Sequence, residues 1–410
     1  MNGDTMKRRK FDFSKEYGIV LEGGGAKGAY QIGVWKALLE CGVKIKGIAG
    51  VSVGALNGAL MCMGNLDKAI DIWKNISYSK IMNVNDMNME KIMGRRFKEI
   101  SLQEIRRQSI KFISEGGFDI TPLRQLIEEN VDEQAIKASN MELILGTFSL
   151  TNLKEIEISV NEIEEGNLKD YLIASASFPL FKNTKLNGKK YLDGGIINNV
   201  PIDMLINRGY KDIIVVRIYG IGLEKKVKIP EDVNVTVIAP GKYLCNVLEF
   251  NPKKAARNIN LGYYDALRML KSLDGRDYYI SDHQVNADGE FINNEEKYLD
   301  ALLRVDEERV ENLLNFCNKA ALAYDSPLRN LTEIIYPHLA NLLGLEKNWD
   351  YRELYYVLLE YAAKKLRIPR FRIYTREQFA QTIEQKMQAW IEKENLPNTI
   401  MDLVLTIIKE

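Results

Sequence analysis

Gly18-Ile19-Val20-Leu21-Glu22-Gly23-Gly24-Gly25-Ala26-Lys27-Gly28 sets a short apolar run directly before a cluster of glycines. Ala29 to Glu40 follows, with Ile32, Trp35 and Leu39 at helical spacing, and Gly42 stops the pattern. A second strand-to-helix passage comes next. Gly47-Ile48-Ala49-Gly50-Val51 reads as a strand, Ser52 stands at its end, and Ala55 to Met63 reads as a helix of small residues. Strands that hand over to helices in this way mark βαβ units and a largely parallel sheet.

Further strands are expected at Glu142 to Phe148, Ile156 to Val160, Ile213 to Ile218 and Val235 to Ile238, with a last one at Asp277 to Ile280. A helix is expected from Thr121, with Pro122 at its first position. Lys185 to Leu192 carries Asn187-Gly188 between two short strands, a hairpin that delivers Asp193 directly after a strand end. After about Asn286 strand-like runs give way to amphipathic faces, Leu354, Val357, Leu358 and Tyr361 forming one and Phe379, Ile383, Met387, Trp390 and Ile391 another. The expected organisation is a basic tail over 1–14, an α/β catalytic domain over 15–285 and a helical module over 286–410.

Among the 410 residues, 56 Lys and Arg balance 56 Asp and Glu, which excludes a globally basic nucleic-acid binder and a globally acidic chain. With 46% apolar and 27% charged residues the composition is that of a globular protein. Cys41, Cys62, Cys245 and Cys317 form no CxxC pair, so neither a disulfide framework nor a zinc ribbon is indicated. The basic run Lys7 to Lys10 is followed by no apolar signal segment, and no stretch reaches the length of a membrane span. A soluble cytoplasmic protein is expected.

Gly50-Val51-Ser52-Val53-Gly54 is a G-x-S-x-G, the pattern of a nucleophile elbow in which flanking glycines let a tight turn lift the serine hydroxyl clear of the sheet. The helix that follows aims its amides and positive dipole end at the same spot. Gly23 to Gly28 admits three readings. Gly23, Gly25 and Gly28 satisfy a dinucleotide fingerprint, but Glu40, the acid nearest the required offset, ends a helix rather than a second strand. A P-loop fails, because Ala29-Tyr30 follows Gly28 where Lys-Ser/Thr is needed. An oxyanion hole, with Lys27 adding positive charge, explains why a serine elbow follows one crossover later. For the base, His283 and His338 stand in no motif. Asp193 in Leu192-Asp193-Gly194-Gly195 is the better candidate, provided that shelter raises its pKa.

The ordered set Gly23-Gly24-Gly25-Ala26-Lys27-Gly28, Gly50-Val51-Ser52-Val53-Gly54 and Asp193-Gly194-Gly195 resembles the patatin-like phospholipase family, of bacterial type with an added C-terminal helical module. Ala174 to Phe181, Asn198-Asn199-Val200-Pro201 and Asn260 to Ala266 extend the resemblance over roughly residues 15–272. It implies a three-layer α/β/α fold and a Ser-Asp dyad that hydrolyses lipid acyl esters without metal or organic cofactor. Carried over by position, Ser52 is the nucleophile, Asp193 the base, and the amides around Gly24 and Gly25 the oxyanion hole. The Met-rich stretch from Leu66 to Phe118 aligns with nothing; insertions there shape the acyl pocket in this family.

The helical module contains Lys364, Lys365, Arg367, Arg370, Arg372 and Arg376, with no acid from Tyr361 to Arg376 and with Leu366, Ile368, Phe371 and Tyr374 between them. In a lipase such a stretch points to an anionic membrane surface; a solvated charged face and a subunit contact are the alternatives. A nucleotide-binding protein leaves the elbow and the Asp-Gly-Gly turn unexplained. A non-catalytic scaffold is at odds with the intact serine and aspartate.

Overall fold

In the computed structural model, which describes residues 11–96, 117–182, 185–186, 188–282, 295–393 and 397–409, the first apolar run forms β1 (Glu16–Leu21) inside a seven-stranded sheet. The chain forms two compact units, Asp12–Leu267 and one built mainly on Arg268–Glu410. In the first, the sheet order is β4-β3-β2-β1-β6-β7, from β2 (Lys44–Val51), β3 (Glu142–Ser149), β4 (Lys154–Ser159), β6 (Asp212–Val216) and β7 (Asn234–Ile238). β5 (Tyr191–Asp193) pairs with β3 off this path. Every pairing is parallel except those of β4 and β5 with β3. The central strands are nearly all buried, as expected of a parallel sheet covered on both faces.

Helices α1 (Ala29–Glu40), α2 (Val53–Cys62), α3 (Leu66–Lys74), α4 (Asp86–Arg96), α5 (Thr121–Asn130) and α6 (Glu133–Lys137) come before β3 in the chain. α7 (Leu168–Ser175), α8 (Ile202–Asn207) and α9 (Pro252–Leu270) come after β4. Side chains alternate across a strand, so Val20, Ala49, Val51 and Ile144 share one face, where they pack with Met204 and Leu205 of α8. On the other face Gly58 of α2 sits against Leu143 and Ile48. The result is three layers, α/β/α, with a mostly parallel centre.

The second unit holds β8 (Tyr279–Ser281), α10 (Glu296–Leu302), α11 (Glu307–Phe316), α12 (Pro327–Arg329), a π-helical turn at Asn330–Ile335, α13 (Tyr336–Leu342), α14 (Tyr351–Lys365), β9 (Ile373–Thr375), α15 (Arg376–Ile391) and α16 (Thr399–Ile408). Its core is aliphatic and tyrosine-rich, with Tyr298, Tyr336 and Tyr374 each at most 2% exposed. The division at 267/268 lies upstream of the boundary expected at 285/286. The segment read as the last strand of the first domain instead forms β8, which pairs in parallel with β9. A strand therefore also occurs past Asn286, where the sequence predicted helices alone. Among the described residues, no helix is long and apolar enough to cross a membrane.

α1 and α9 meet backbone to backbone. A Cβ on Gly33 would lie 1.9 Å from the Ile259 carbonyl oxygen, and one on Gly262 would lie 2.0 Å from that of Tyr30. Gly33→Val is expected to lose at least ~2 kcal/mol of stability by forcing the pair apart, read as a lowered urea midpoint.

Candidate active site

β2 ends at Val51 and α2 begins at Val53, which leaves Ser52 alone to turn the chain. Its backbone stands at φ 53° and ψ −127°, a conformation that costs a non-glycine residue about 1–3 kcal/mol. Ser175, at the end of α7, helps to hold it there. The Ser52 amide donates to Ser175 Oγ at 2.9 Å, and that hydroxyl donates to the Gly146 carbonyl at 2.7 Å. The Ser52 carbonyl accepts from the amides of Ala55 and Leu56 at 3.0 and 3.2 Å. The elbow residues keep the turn tight: Val51 and Val53 are buried, and a Cβ on Gly54 would lie 2.2 Å from the Leu21 carbonyl oxygen.

The register of the sheet brings Asp193 to this turn. Val51 of β2 is level with Gly146 of β3, and the next residue, Thr147, faces Asp193 of β5. The Asp193 carboxylate accepts a hydrogen bond from the Gly195 amide at 2.8 Å, and the Ser52 hydroxyl beside it also favours its charged form. Asp193 is only 4% exposed. Burial raises its pKa from 3.8 to about 6, against the lowering effect of the Ser52 hydroxyl and the Gly195 amide.

The Gly-rich loop leaves β1, the strand beside β2, and closes into a single 3-10 turn over Gly25–Gly28. Gly25 takes φ +52°, and a Cβ there would lie 2.2 Å from the Val247 carbonyl oxygen, so glycine is required. Gly23 N–H donates to the Asn199 carbonyl at 3.2 Å and Ala26 N–H to Val247 at 2.8 Å. The Gly24 and Gly25 amides have no hydrogen-bond partner among the described residues. Both residues line the cavity that contains Ser52 and Asp193.

Lys27 departs from the sequence expectation. Its ammonium donates to the Tyr219 carbonyl, burial lowers its pKa, and it lines a separate cleft with Tyr219 and Tyr243. It is not part of the wall around Ser52. Glu40, the acid of the dinucleotide reading, pairs with Lys36 at 2.6 Å and accepts from the Tyr263 hydroxyl at 2.7 Å. His338 lies in α13 of the second unit, whereas His283 and Asn187 fall outside the described residues.

The cavity is open to solvent, and together with the open space at its mouth it spans about 1030 Å³. Its wall is apolar, with Leu60 of α2, Trp73 of α3, Leu123 and Ile127 of α5, and Leu248 and Phe250 from the stretch before α9. Among the described residues, Asp193 is its only charged lining residue. α3 belongs to the Met-rich stretch that the sequence left unaligned.

Three residues escaped the sequence reading. Glu22 is fully buried, and its Oε2 accepts from the amides of Ile218 at 2.6 Å and Tyr219 at 3.0 Å and from Arg217 Nε at 2.9 Å. Its Oε1 accepts from the Gly220 amide at 2.9 Å and Asn199 Nδ2 at 3.3 Å. Asn199 Nδ2 also donates to the Gly23 carbonyl at 3.1 Å. A lone carboxylate between Leu21 and Gly23, in an apolar strand, was the available signal for Glu22. Asn199 and the third residue, Ser175, carried none beyond lying in quoted segments.

The basic stretch of the second unit is only half as expected. Lys364, Lys365, Arg367 and Arg372 are exposed, but Leu366, Ile368 and Tyr374 are buried in the core, so these three face inward while Phe371 is half-buried. Lys364 pairs with Asp277 and Arg376 with Glu377, and the Arg370 guanidinium lies 5.6 Å from the Phe371 ring centre.

A family model described as patatin-like phospholipase matches residues 19–206. Neuropathy target esterase sws of Drosophila melanogaster is 30% identical over 223 residues, 53% of this chain and 14% of that protein. Patatin-like phospholipase domain-containing protein 7 of Rattus norvegicus is 28% identical over 204 residues, 48% of this chain and 13% of that protein. The chain thus matches only a small part of these long relatives. Among solved structures, VipD from Legionella pneumophila aligns over 95% of this chain and 90% of its own, loosely, with a TM-score of 0.39 and 14% identity. The matched residues 19–206 hold the Gly-rich loop, the serine turn and the Asp-Gly-Gly turn, and over this part the chain is similar to the patatin-like phospholipase family.

Proposed function

We propose that the chain hydrolyses acyl ester bonds of lipids or phospholipids, with Ser52 as nucleophile, Asp193 as base, and the Gly24 and Gly25 amides as oxyanion donors. The observation that carries this reading is the pairing of the Ser52 hydroxyl with a buried carboxylate, Asp193, in the wall of one apolar cavity. An acyl chain fits such a wall, whereas a polar or charged substrate would lose its hydration without compensation.

Asp193 takes the Ser52 proton as the oxygen attacks the acyl carbonyl. The tetrahedral oxyanion is met by the two unpaired loop amides, while the amino end of α2 adds its dipole at the serine. The intermediate collapses when the departing alcohol recovers the proton from Asp193, leaving an acyl-serine. Water then gives a proton to Asp193, attacks the acyl-serine and releases the fatty acid, and that proton returns to Ser52. A carboxylate at its ordinary pKa is a weak base toward a hydroxyl; burial brings Asp193 to about 6, closer to the working range. Of the loop residues carried over from the resemblance, Gly23 has its amide committed to Asn199 and Lys27 its ammonium to Tyr219, so the donor role falls to Gly24 and Gly25. Contact with an anionic membrane is proposed through the exposed Lys364, Lys365, Arg367 and Arg372, mainly by charge, because Leu366, Ile368 and Tyr374 between them are buried.

Ser52→Ala and Asp193→Asn are each expected to cut p-nitrophenyl ester hydrolysis by at least about 10³-fold with the circular dichroism unchanged. A fluorophosphonate probe is expected to label wild type at Ser52. Retained turnover in pure Ser52→Ala protein would overturn the reading.

The acid limb of kcat/KM is expected to fall tenfold per pH unit below about 6, where the base becomes protonated. Stability carries the opposite sign. A raised carboxyl pKa favours folding below 3.8 and loses that contribution as pH rises through about 6. Asp193→Asn is therefore expected to have a higher urea midpoint than wild type at pH 8 and to lose that advantage at pH 4.

Vesicle binding is expected to need anionic lipid and to vanish at high salt, as measured by sedimentation. Equal binding to neutral vesicles would remove the membrane part of the proposal.

A further inference from the structure

Trp73 has two surroundings at once. With Asn57 it lines the cavity that holds Ser52, and it also touches the far end of the Gly-rich loop. A Cβ on Gly28 would lie 2.9 Å from Trp73 Cζ2 and 3.0 Å from Asn57 Nδ2, so loop, indole and amide are already in close contact. The indole N–H donates to Asn57 Oδ1 at 3.0 Å. Asn57 Nδ2 donates to the Gly28 carbonyl at 2.9 Å and to Gln31 Oε1 at 2.8 Å. Gln31 Nε2 donates to the Glu22 carbonyl at 2.7 Å. Asn57 and Gln31 are each 1% exposed.

This chain of side chains grips the loop on both sides of its free amides, at the Glu22 carbonyl before them and the Gly28 carbonyl after them. A buried polar network with its members paired is stiff, and each link depends on the one before it. Oxyanion donors act only when held close to the position of the developing charge, so an error of about 1 Å in the loop is costly.

We propose that Trp73 is a positioning residue for the Gly-rich loop, acting through Asn57 and Gln31, and the point at which a bound acyl chain bears on the oxyanion donors. This rests on the hydrolase reading above and adds to it a residue that sets acyl-chain specificity. A chain long enough to pack on the indole holds the ring in place, and with it the buried Trp73–Asn57 hydrogen bond and the loop. Acyl length then enters kcat as well as KM. In a cavity whose wall serves only to bind, length enters KM alone.

The test uses the full chain, p-nitrophenyl esters from butyrate to palmitate, and a small alkyl fluorophosphonate too short to reach the wall. Trp73→Phe keeps an aromatic wall but removes the N–H. Asn57→Ser leaves the indole in place and cuts the network, and it carries the test if Trp73→Phe does not fold. For each, kcat on long esters is expected to fall about tenfold, as for one lost buried hydrogen bond, with KM within about twofold of wild type. Labelling of Ser52 by the short probe is expected to slow by a similar factor, and the double variant to be no worse than either single one. Raised KM with unchanged kcat and wild-type labelling would make Trp73 a wall residue only and overturn the inference while leaving the hydrolase reading intact. Unchanged kinetics in both variants would do the same. Absence of turnover and labelling in wild type would instead overturn the hydrolase reading, and this inference with it.

Discussion

A carboxylate with no solvent exposure, Glu22 at the end of the strand next to β2, organises the end of the sheet that carries Ser52. Taking an ion out of water costs several kcal/mol unless donors replace the lost hydration. Glu22 recovers that cost from three successive amides at Ile218, Tyr219 and Gly220, from Arg217 and from Asn199. In doing so it binds the segment after β6 to the segment after β1. Asn199 carries the tie onward, since its side chain also holds the Gly23 carbonyl and its main-chain carbonyl receives the Gly23 amide. The Gly-rich loop is thereby fixed to the chain that follows the Asp-Gly-Gly turn.

Around this hub the fold stores unfavourable terms where the proposed chemistry needs them. Ser52 keeps a backbone conformation that an L-residue rarely adopts, held by the Ser175 hydroxyl and by the first turn of α2. Asp193 is buried with the Gly195 amide and the neighbouring Ser52 hydroxyl to stabilise its charge, whereas Glu22 accepts five hydrogen bonds. The contrast is one of environment rather than residue type. A fully satisfied carboxylate holds loops together, and a poorly satisfied one is a stronger base.

The second unit uses the same device. Glu360 is buried on α14, and one of its oxygens accepts from the consecutive amides of Arg276, Asp277 and Tyr278, each at 2.8 Å. Burial pushes its pKa up. This contact pins the turn before β8 to the main helix of the unit, which helps to explain why β8 pairs with β9 although its sequence reads like one more strand of an α/β domain. The basic stretch around β9 follows the same logic: its charges reach water, and its leucine, isoleucine and tyrosine fill the core.

Much of the first unit was legible from local pattern. Ala29–Glu40 is the helix that the spacing required, and Thr121–Asn130 begins where Pro122 placed it. The strands of the sheet fall within a few residues of the apolar runs, because burial on both faces leaves a continuous apolar signature. Loop glycines and the two strand-to-helix turns were equally visible, since close backbone approach admits few other residues. Other features depended on contacts between positions far apart in the chain. The pairing of β8 with β9, the inward turn of the apolar residues near Lys364, the capture of Lys27 by Tyr219 and the assembly of Glu22, Asn199, Ser175, Trp73 and Asn57 have no local periodicity. Residue order fixed which segments become strands, helices and tight turns, because those preferences act over a few residues. Long-range packing fixed which polar groups meet, because a buried donor or acceptor takes whatever partner the folded chain brings within about 3 Å.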